Sequence, residues 1–391
     1  MRQLSILFLI IIITCLSACS DKKPSSVNLD LIEFDVTQTY PKKELDIHDI
    51  ADVSYIILEA DEEYLYQFPR TTITKNFIIE NNLNGQGFLF FDRTGKPVSK
   101  VYRRGDGPEE YVRAENFLYV EEEDNLYVVV WYDSEKIKVY SRNGEYKKEY
   151  ATPGDMTIGG IYNYDENFLL LHFIRQQYPF GLLSKTNGEI TFLTDIFIEK
   201  PQEMIVRYDR IVRPDGSIGN NGFFAFLGYY IVKNGRDFLL NSYELDTIYR
   251  ITLDQQLSPV VIRKPSFRET DPMIALHSFV ESSSYLFFSS YRMEYDQENY
   301  ILFPKTAYLI DKNTKKIYNQ NIVNKDFEGE NIIIDPYTVS TFISPLVGKV
   351  DYHIEELTQA DKAGKLKGKL KETYDRMDED DEYIYMLFEL K

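Results

Sequence analysis

Residues 137–145 read Ile137-Lys138-Val139-Tyr140-Ser141-Arg142-Asn143-Gly144-Glu145. Ile137 and Val139 alternate with Lys136 and Lys138, the period-two pattern of a half-buried strand. Asn143-Gly144 then supplies a tight turn, because hairpin turns need positive φ, which Asn and Gly adopt at least cost. The same layout recurs along the chain. Phe88-Leu89-Phe90-Phe91 precedes Asp92-Arg93-Thr94-Gly95-Lys96, and Gly181-Leu182-Leu183 precedes Lys185-Thr186-Asn187-Gly188-Glu189. Ile248-Tyr249-Arg250-Ile251 precedes Asp254-Gln255-Gln256, and Tyr308-Leu309-Ile310 precedes Asp311-Lys312-Asn313-Thr314-Lys315. Aligned on these turns, Gly95, Gly144, Gly188, Gln256 and Thr314 are equivalent, in steps of 49, 44, 68 and 58 residues. Short strands repeating every 40–50 residues or so are the signature of propeller blades, each burying its faces against its neighbours.

The five turns plus the C-terminal material predict an all-β chain: a six-bladed β-propeller with four-stranded antiparallel blades. The two long steps predict insertions in the fourth and fifth units. Leu126-Tyr127-Val128-Val129-Val130-Trp131-Tyr132 is a continuous apolar run, as a strand packed on both faces requires. A ring of blades must pair its first and last members or leave open edges. Tyr383 to Leu390, or a strand from residues 27–36, is expected to do so. One helical pattern stands out over residues 354–377, with Ile354, Leu357, Leu366, Leu370, Tyr374 and Met377 on one face and Gly364 and Gly368 weakening it. It predicts a single C-terminal helical insertion covering one end of the last blade.

Composition agrees with this reading. The 391 residues include 31 Tyr and 25 Phe against one Trp, and 43% are hydrophobic, enough for a large core. A net charge of −18 argues against a nucleic-acid binder, which needs a basic face. At the N-terminus, Arg2 precedes an apolar run from Leu4 to Ile13, closed by Leu16-Ser17-Ala18-Cys19. A basic start, a short apolar stretch and a small-residue site read as an export signal, too short for a comfortable membrane span. Leu16-Ser17-Ala18-Cys19 also resembles the bacterial lipobox, which implies that Cys19 becomes the lipidated first residue and ties the protein to a membrane. The expected organisation is a signal peptide over 1–18, a tether over 19–30 and the propeller over 31–391, in an outer-membrane lipoprotein of the cell envelope.

Residues 101–111, Val101-Tyr102-Arg103-Arg104-Gly105-Asp106-Gly107-Pro108-Glu109-Glu110-Tyr111, carry a Gly-x-Gly-Pro-x-Glu-Tyr pattern. This resembles the signature of a family of uncharacterised bacterial lipoproteins named for a six-bladed β-propeller and similar in layout to NHL-type propellers. Asp52 to Glu59 resembles that family's first-blade start, and Asp246-Thr247-Ile248-Tyr249 a later blade strand. The resemblance implies a fold and an envelope location and no established activity. Physically, Gly105, Gly107 and Pro108 suit an inter-blade turn, since the glycines open backbone angles and the proline fixes the exit. The competing reading places Arg103, Arg104, Glu110 and Tyr111 near the axial opening as binders of an anionic or sugar ligand. The stretch fails as a phosphate loop, lacking a third glycine and a following Lys-Ser/Thr.

Motifs for chemistry are sparse. His48, His172, His277 and His353 are scattered without metal-ligand spacing, and no Gly-x-Ser-x-Gly elbow occurs. The acidic runs Asp61–Glu63, Glu121–Asp124 and Asp378–Glu382 lack the layout of a calcium loop and read as solvated edges. No metal or cofactor is expected. Aromatic clusters at Tyr162, Tyr164, Phe173, Tyr178 and Phe180, then at Tyr229, Tyr230, Tyr291, Tyr295 and Tyr300, read mainly as inter-blade packing and secondarily as ligand platforms. The leading functional reading is a lipid-anchored binding module for a glycan, a peptide or an envelope protein. The alternative is a glycan hydrolase or lyase whose carboxylates come from different blades.

Overall fold

Each of the five aligned turns joins the third and fourth strands of a four-stranded antiparallel sheet in the computed structural model. The structure describes residues 31–59, 69–82, 87–130, 136–154, 156–201, 206–212, 215–224, 231–296, 301–335, 347–379 and 381–391. The first blade comprises Pro69–Ile73, Phe77–Asn82, Gly87–Asp92 and Pro97–Val101, and the second Ala114–Val120, Asn125–Val130, Lys136–Tyr140 and Tyr146–Ala151. The third comprises Thr157–Asn163, Phe168–Ile174, Phe180–Ser184 and Ile190–Phe192. The fourth is built from Ile231–Asn234, Asp237–Leu240, Thr247–Ile251 and Leu257–Lys264, and the fifth from Ile274–Glu281, Tyr285–Arg292, Lys305–Asp311 and Ile317–Val323.

The turns repeat because one residue in each occupies the left-handed region: Gly95 (φ 97°), Gly144 (80°), Gly188 (77°), Gln255 (60°) and Lys315 (57°). In the last two blades that residue is Gln255 rather than Gln256, and Lys315 rather than Thr314. A short polar side chain at the head of the turn ties it down. Asp92 Oδ1 accepts from the Thr94 amide at 2.8 Å, Ser141 Oγ from Glu145 at 3.1 Å, Thr252 Oγ1 from Gln256 at 3.1 Å and Asp311 Oδ1 from Asn313 at 3.1 Å. Such side chains hydrogen-bond backbone amides a few residues on and so favour turns over continued strand.

Among the described residues five four-stranded blades are present, not the six expected from the sequence. The remaining large sheet has three strands, in the order Val347–His353, Tyr383–Leu390, Ala51–Ile56. The single helix expected over 354–377 is instead two short ones, and with a helix α1 (Ile47–Ile50) they form the α-helical content: α2 (Ile354–Lys362) and α3 (Gly368–Tyr374). Gly364 and Gly368 break the pattern at positive φ, and a Cβ on Gly368 would stand 2.3 Å from Asp326 Oδ1. Helix α3 packs against Ala51–Ile56, the edge strand of this sheet. Leu357, Ala360, Leu366 and Leu370 are buried in the same cluster as Ala51 and Tyr55.

Hydrophobic clusters follow the order of the sheets round a closed circuit. Phe88, Phe90, Leu126 and Val128 join blades one and two, Val129, Ile137, Leu169 and Leu171 blades two and three, and Leu170, Leu182, Phe238 and Leu240 blades three and four. Leu239, Val261, Leu286 and Ile310 join blades four and five. The three-stranded sheet packs on blade five through Met386, Phe388, Phe287 and Leu309, and on blade one through Tyr385, Leu387, Leu89 and Phe91.

Of the two segments expected to complete the ring, Tyr383–Leu390 is the central strand of this sheet, paired on one side with residues of the N-terminal segment. The segment near residues 27–36 does something else. Ile32–Asp35 lies parallel on the outer strand of blade four, and Lys42–Asp46 lies parallel on the outer strand of blade five. The long steps hold added hairpins, Val206–Val212 with Ile218–Phe224 and Tyr295–Asp296 with Ile301–Leu302. The signal, tether and Cys19 readings fall outside the described residues. Among the described residues no helix is long and apolar enough to cross a membrane.

Candidate functional site

The 101–111 stretch connects blade one to blade two and closes on itself. Tyr111 donates its amide to Arg103 O at 2.9 Å, and Gly105 to Tyr111 O at 3.1 Å. The Glu110 carboxylate folds back to accept from the Gly107 amide at 2.9 Å, so close to Gly105 that a Cβ there would stand 1.9 Å from it. Blade two holds the loop from outside: Lys138 Nζ donates to Pro108 O at 2.7 Å and to Glu110 O at 2.5 Å, and Tyr140 donates to Glu109 O at 2.9 Å. Arg103 Nε donates to Gly144 O at 2.6 Å, in the turn between the two outer strands of blade two. Tyr111 is buried among Phe88, Phe117 and Tyr140, and burial raises its phenol pKa. Of the four side chains proposed to bind a ligand, Arg104 is the exposed one. Arg103 and Glu110 thus spend hydrogen bonds on the turn of blade two and on the loop itself, while Tyr111 packs in the core between the two blades.

Polar side chains do gather elsewhere. Near the end of the second strand, where it leads into the connection to the third, blades one, three, four and five bury polar residues: Glu80 and Asn81, His172, Asn241 and Ser242, Ser289 and Ser290. Blade two has Val128, Val129 and Val130 there. All second strands run the same way, so these residues share one end of the ring. Among the described residues, Asn81 Nδ2, Asn241 Oδ1 and Ser289 Oγ have no hydrogen-bond partner. Buried polar atoms are overwhelmingly paired, so unpaired ones clustered at one end need a cause.

The charged centre of this end is the seam between blade one and the three-stranded sheet. Glu80 is wholly buried and accepts from Thr71 Oγ1 at 2.8 and 2.9 Å. Lys349 reaches across from the three-stranded sheet, donating to Thr71 Oγ1, with Glu80 at 3.8 Å, Asp351 at 2.9 Å and the Tyr385 ring centroid at 4.6 Å. Burial raises the Glu80 pKa, and the Lys349 charge opposes that. Asp351 is exposed, so the group opens to solvent on that side.

A second buried network lies beneath the helices. Asn324 Nδ2 donates to Tyr352 Oη at 3.0 Å and Tyr55 Oη at 3.1 Å, and Tyr352 donates to Glu330 Oε2 at 2.6 Å. Burial pushes the Glu330 carboxyl up to about 7. His48 stands between Asp46, 3.0 Å from Nδ1, and Asp326, 3.3 Å from Nε2. His353 caps α2, and His172 is buried against Phe180. Among the described residues no His, Cys, Asp or Glu group could hold a metal ion. In the acidic run at 121–124, Glu123 pairs with Lys185 of blade three, an inter-blade tie rather than a free edge. Nothing in the sequence marks the Glu80–Lys349 pair, because the two residues come from segments far apart along the chain.

The sheets and their circuit define a β-propeller with four-stranded antiparallel blades. The chain belongs to the family described as a domain of unknown function, DUF4934, whose model matches residues 31–389. Among solved structures it is similar to a Bacteroides fragilis protein described as exported, with 16% identity over 92% of this chain and 99% of that one and a TM-score of 0.62. It is less similar to a Bacteroides vulgatus protein of the DUF4221 family, at 8% identity over 88% and 99% and a TM-score of 0.46. A virginiamycin B lyase from Staphylococcus aureus matches at 15% identity over 69% and 98%, with a TM-score of 0.34. No curated protein matches the chain.

Proposed function

We propose that this protein is an envelope-anchored binding module. In this reading Cys19 carries the lipid, residues 19–30 are the tether, and the three-stranded sheet fills a sixth position in the ring. The end of the ring bearing Glu80, Asn81, Asn241 and Ser289 receives a ligand or partner. Export is supported by the leader-like residues 1–18 and by the likeness to a protein described as exported. The observation that carries the binding reading is that, among the described residues, buried side-chain atoms of Asn81, Asn241 and Ser289 at one end of the ring have no hydrogen-bond partner. Leaving such an atom unpaired costs about 1–3 kcal/mol, a cost that a bound partner removes.

The test is in-cell crosslinking with the paired variant Glu80→Gln, Lys349→Met, which removes the buried Glu80 charge and its half-buried partner together and keeps the volumes. Capture of a discrete partner by the parent chain and its loss in the variant is the expected result. A capture profile that the variant leaves unchanged rejects this end of the ring as the site. Fractionation of Cys19→Ala checks the anchor, with release from membranes expected.

One observation favours the glycan hydrolase reading: the buried Glu80, its pKa raised by burial, and the solvated Asp351 both lie against Lys349. It ranks second because Glu80 has no exposed surface with which to meet a substrate. Oligosaccharide turnover that disappears in Glu80→Gln would reverse the ranking.

A further inference from the structure

The outer strands of the blades are not covered alike. Those of blades four and five each carry an added strand, Ile32–Asp35 and Lys42–Asp46, whereas among the described residues those of blades one, two and three pair with none. An uncovered edge is a template for another chain unless something blunts it. Blade three offers only Ile190–Phe192, and blade two spends its lysines on carbonyls: Lys147 Nζ donates to Asp124 O at 2.5 Å and Lys148 Nζ to Lys185 O at 2.9 Å.

Blade one is different. From Val98 to Arg104 the chain alternates. Ser99, Val101 and Arg103 turn towards residues 142–144 of blade two, and Val98, Lys100, Tyr102 and Arg104 are exposed. Val98 is 43% and Tyr102 59% exposed, and Val112, next to the bridge between Arg104 and Tyr111, is 45% exposed. An edge that only protects itself carries charge or proline, and this one adds a valine and a tyrosine to Pro97 and Lys100. Its charge is also out of keeping with the chain. Residues 93–105 contain Arg93, Lys96, Lys100, Arg103 and Arg104 and no Asp or Glu, in a protein of net charge −18.

We propose that this edge of blade one docks an extended segment of a partner protein as a further strand, with acidic and apolar residues taking turns along one face. On an added strand every second side chain lies beside Val98, Lys100, Tyr102 and Arg104 in turn, so acids meet the two cations and apolar groups meet Val98 and Tyr102. The main chain of the segment pairs with the open edge, as in other recognition by strand addition. The chain's own strap uses the same chemistry: on blade four Ile32 and Phe34 are buried, and Glu33 pairs with Lys264 of the outer strand at 2.8 Å. A free anion would use the cations and leave the edge and the tyrosine idle. The surface is the outer strand of blade one, so the inference does not rest on the end of the ring bearing Glu80 and Asn81.

The test is fluorescence anisotropy of the full chain, purified in detergent, with a labelled peptide probe, Thr-Phe-Thr-Glu-Thr-Phe-Thr-Glu-Thr, and its charge-reversed twin with Lys in place of Glu. The acidic probe is expected to bind and its twin is not, and binding should weaken as salt rises to about 1 M, where the screening length falls to about 3 Å. Tyr102→Ala and Lys100→Glu, both at exposed positions, are each expected to weaken binding about tenfold with the thermal midpoint unchanged. Hydrogen exchange should show new protection in residues 98–101 when the probe is added. The proposal is overturned if the acidic probe does not bind, if the twin binds as well, or if either substitution leaves binding unchanged. It is equally overturned if the protection falls on Leu257–Lys264 or Ile317–Val323, where the probe would be replacing the strap. Absence of probe binding, with in-cell capture still sensitive to the Glu80→Gln, Lys349→Met pair, would sink this surface and leave the broader binding reading standing.

Discussion

Glu330 shows how a single side chain can set a pH dependence. Burial raises its pKa from 4.5 to about 7 in the folded chain, against the lowering effect of the Tyr352 and Asn324 hydrogen bonds. The folded state therefore holds a proton that the unfolded state releases between about pH 4.5 and 7. Stability from this group is fully present below the lower value and is lost as pH rises through the upper one, with a total of about 1–3 kcal/mol. Thermal melts from pH 4.5 to 8 should show this decline, and Glu330→Gln, a fixed analogue of the protonated acid, should flatten it. A slope that is the same in the variant would assign the dependence to other groups. The turns give a second prediction at this scale. Gln255 sits at φ 60° where blades one to three place glycine, and a left-handed non-glycine residue costs roughly 1–2 kcal/mol. Gln255→Gly should raise the midpoint of urea unfolding, and an unchanged or lower midpoint would count against the turn equivalence. The turn positions were legible in the sequence because they depend on residues next to one another. Glu80 and Asn241 were not, since what makes them unusual is burial beside strands that are remote along the chain.

Among the elements, the N-terminal strands act as a strap across the outside of blades four and five. Phe34, wholly buried, is the pin: its ring lies 4.8 Å from Phe288 and 5.0 Å from Tyr308, with Tyr40 stacked at 5.5 Å. Phe34→Ala should destabilise the chain by about 3–5 kcal/mol, the range for emptying a buried aromatic site. Hydrogen exchange should show the loss first in Ile32–Asp35 and Leu257–Lys264, the parallel pair it supports. Uniform exchange across all blades would refute the strap. Sequence placed a strand near residues 27–36 correctly in kind but not in partner, because strand propensity carries no information about which sheet edge is free. The helical pattern over 354–377 was likewise visible as an apolar face. Its division was hinted at by Gly364 and Gly368, but the reason for Gly368, the close approach of Asp326, comes from another segment.

For the whole molecule, the blade number turns on what the turn signal measures. It marks the step from third to fourth strand, and among the described residues the three-stranded sheet has no such step: helix α3 packs on its Ala51–Ile56 edge. Counting the C-terminal material as one more four-stranded unit therefore overcounted. The circuit nonetheless closes through that sheet, and it does so by one strand: Tyr383–Leu390 pairs with Val347–His353 on one side and Ala51–Ile56 on the other. Its side chains alternate between two interfaces, Met386 and Phe388 towards blade five and Tyr385 and Leu387 towards blade one. Ending the chain after Asp381 would thus expose two strand edges and open two hydrophobic interfaces at once, a loss that exceeds the 5–15 kcal/mol by which folded domains are typically stable. The truncated chain should lack a cooperative thermal transition and bind a hydrophobic dye, whereas a chain lacking only residues 1–30 should melt like the parent. If the truncation instead kept a sharp transition, the blades would be stable as an open arc, and the Lys349 seam could no longer be regarded as part of what holds the ring shut.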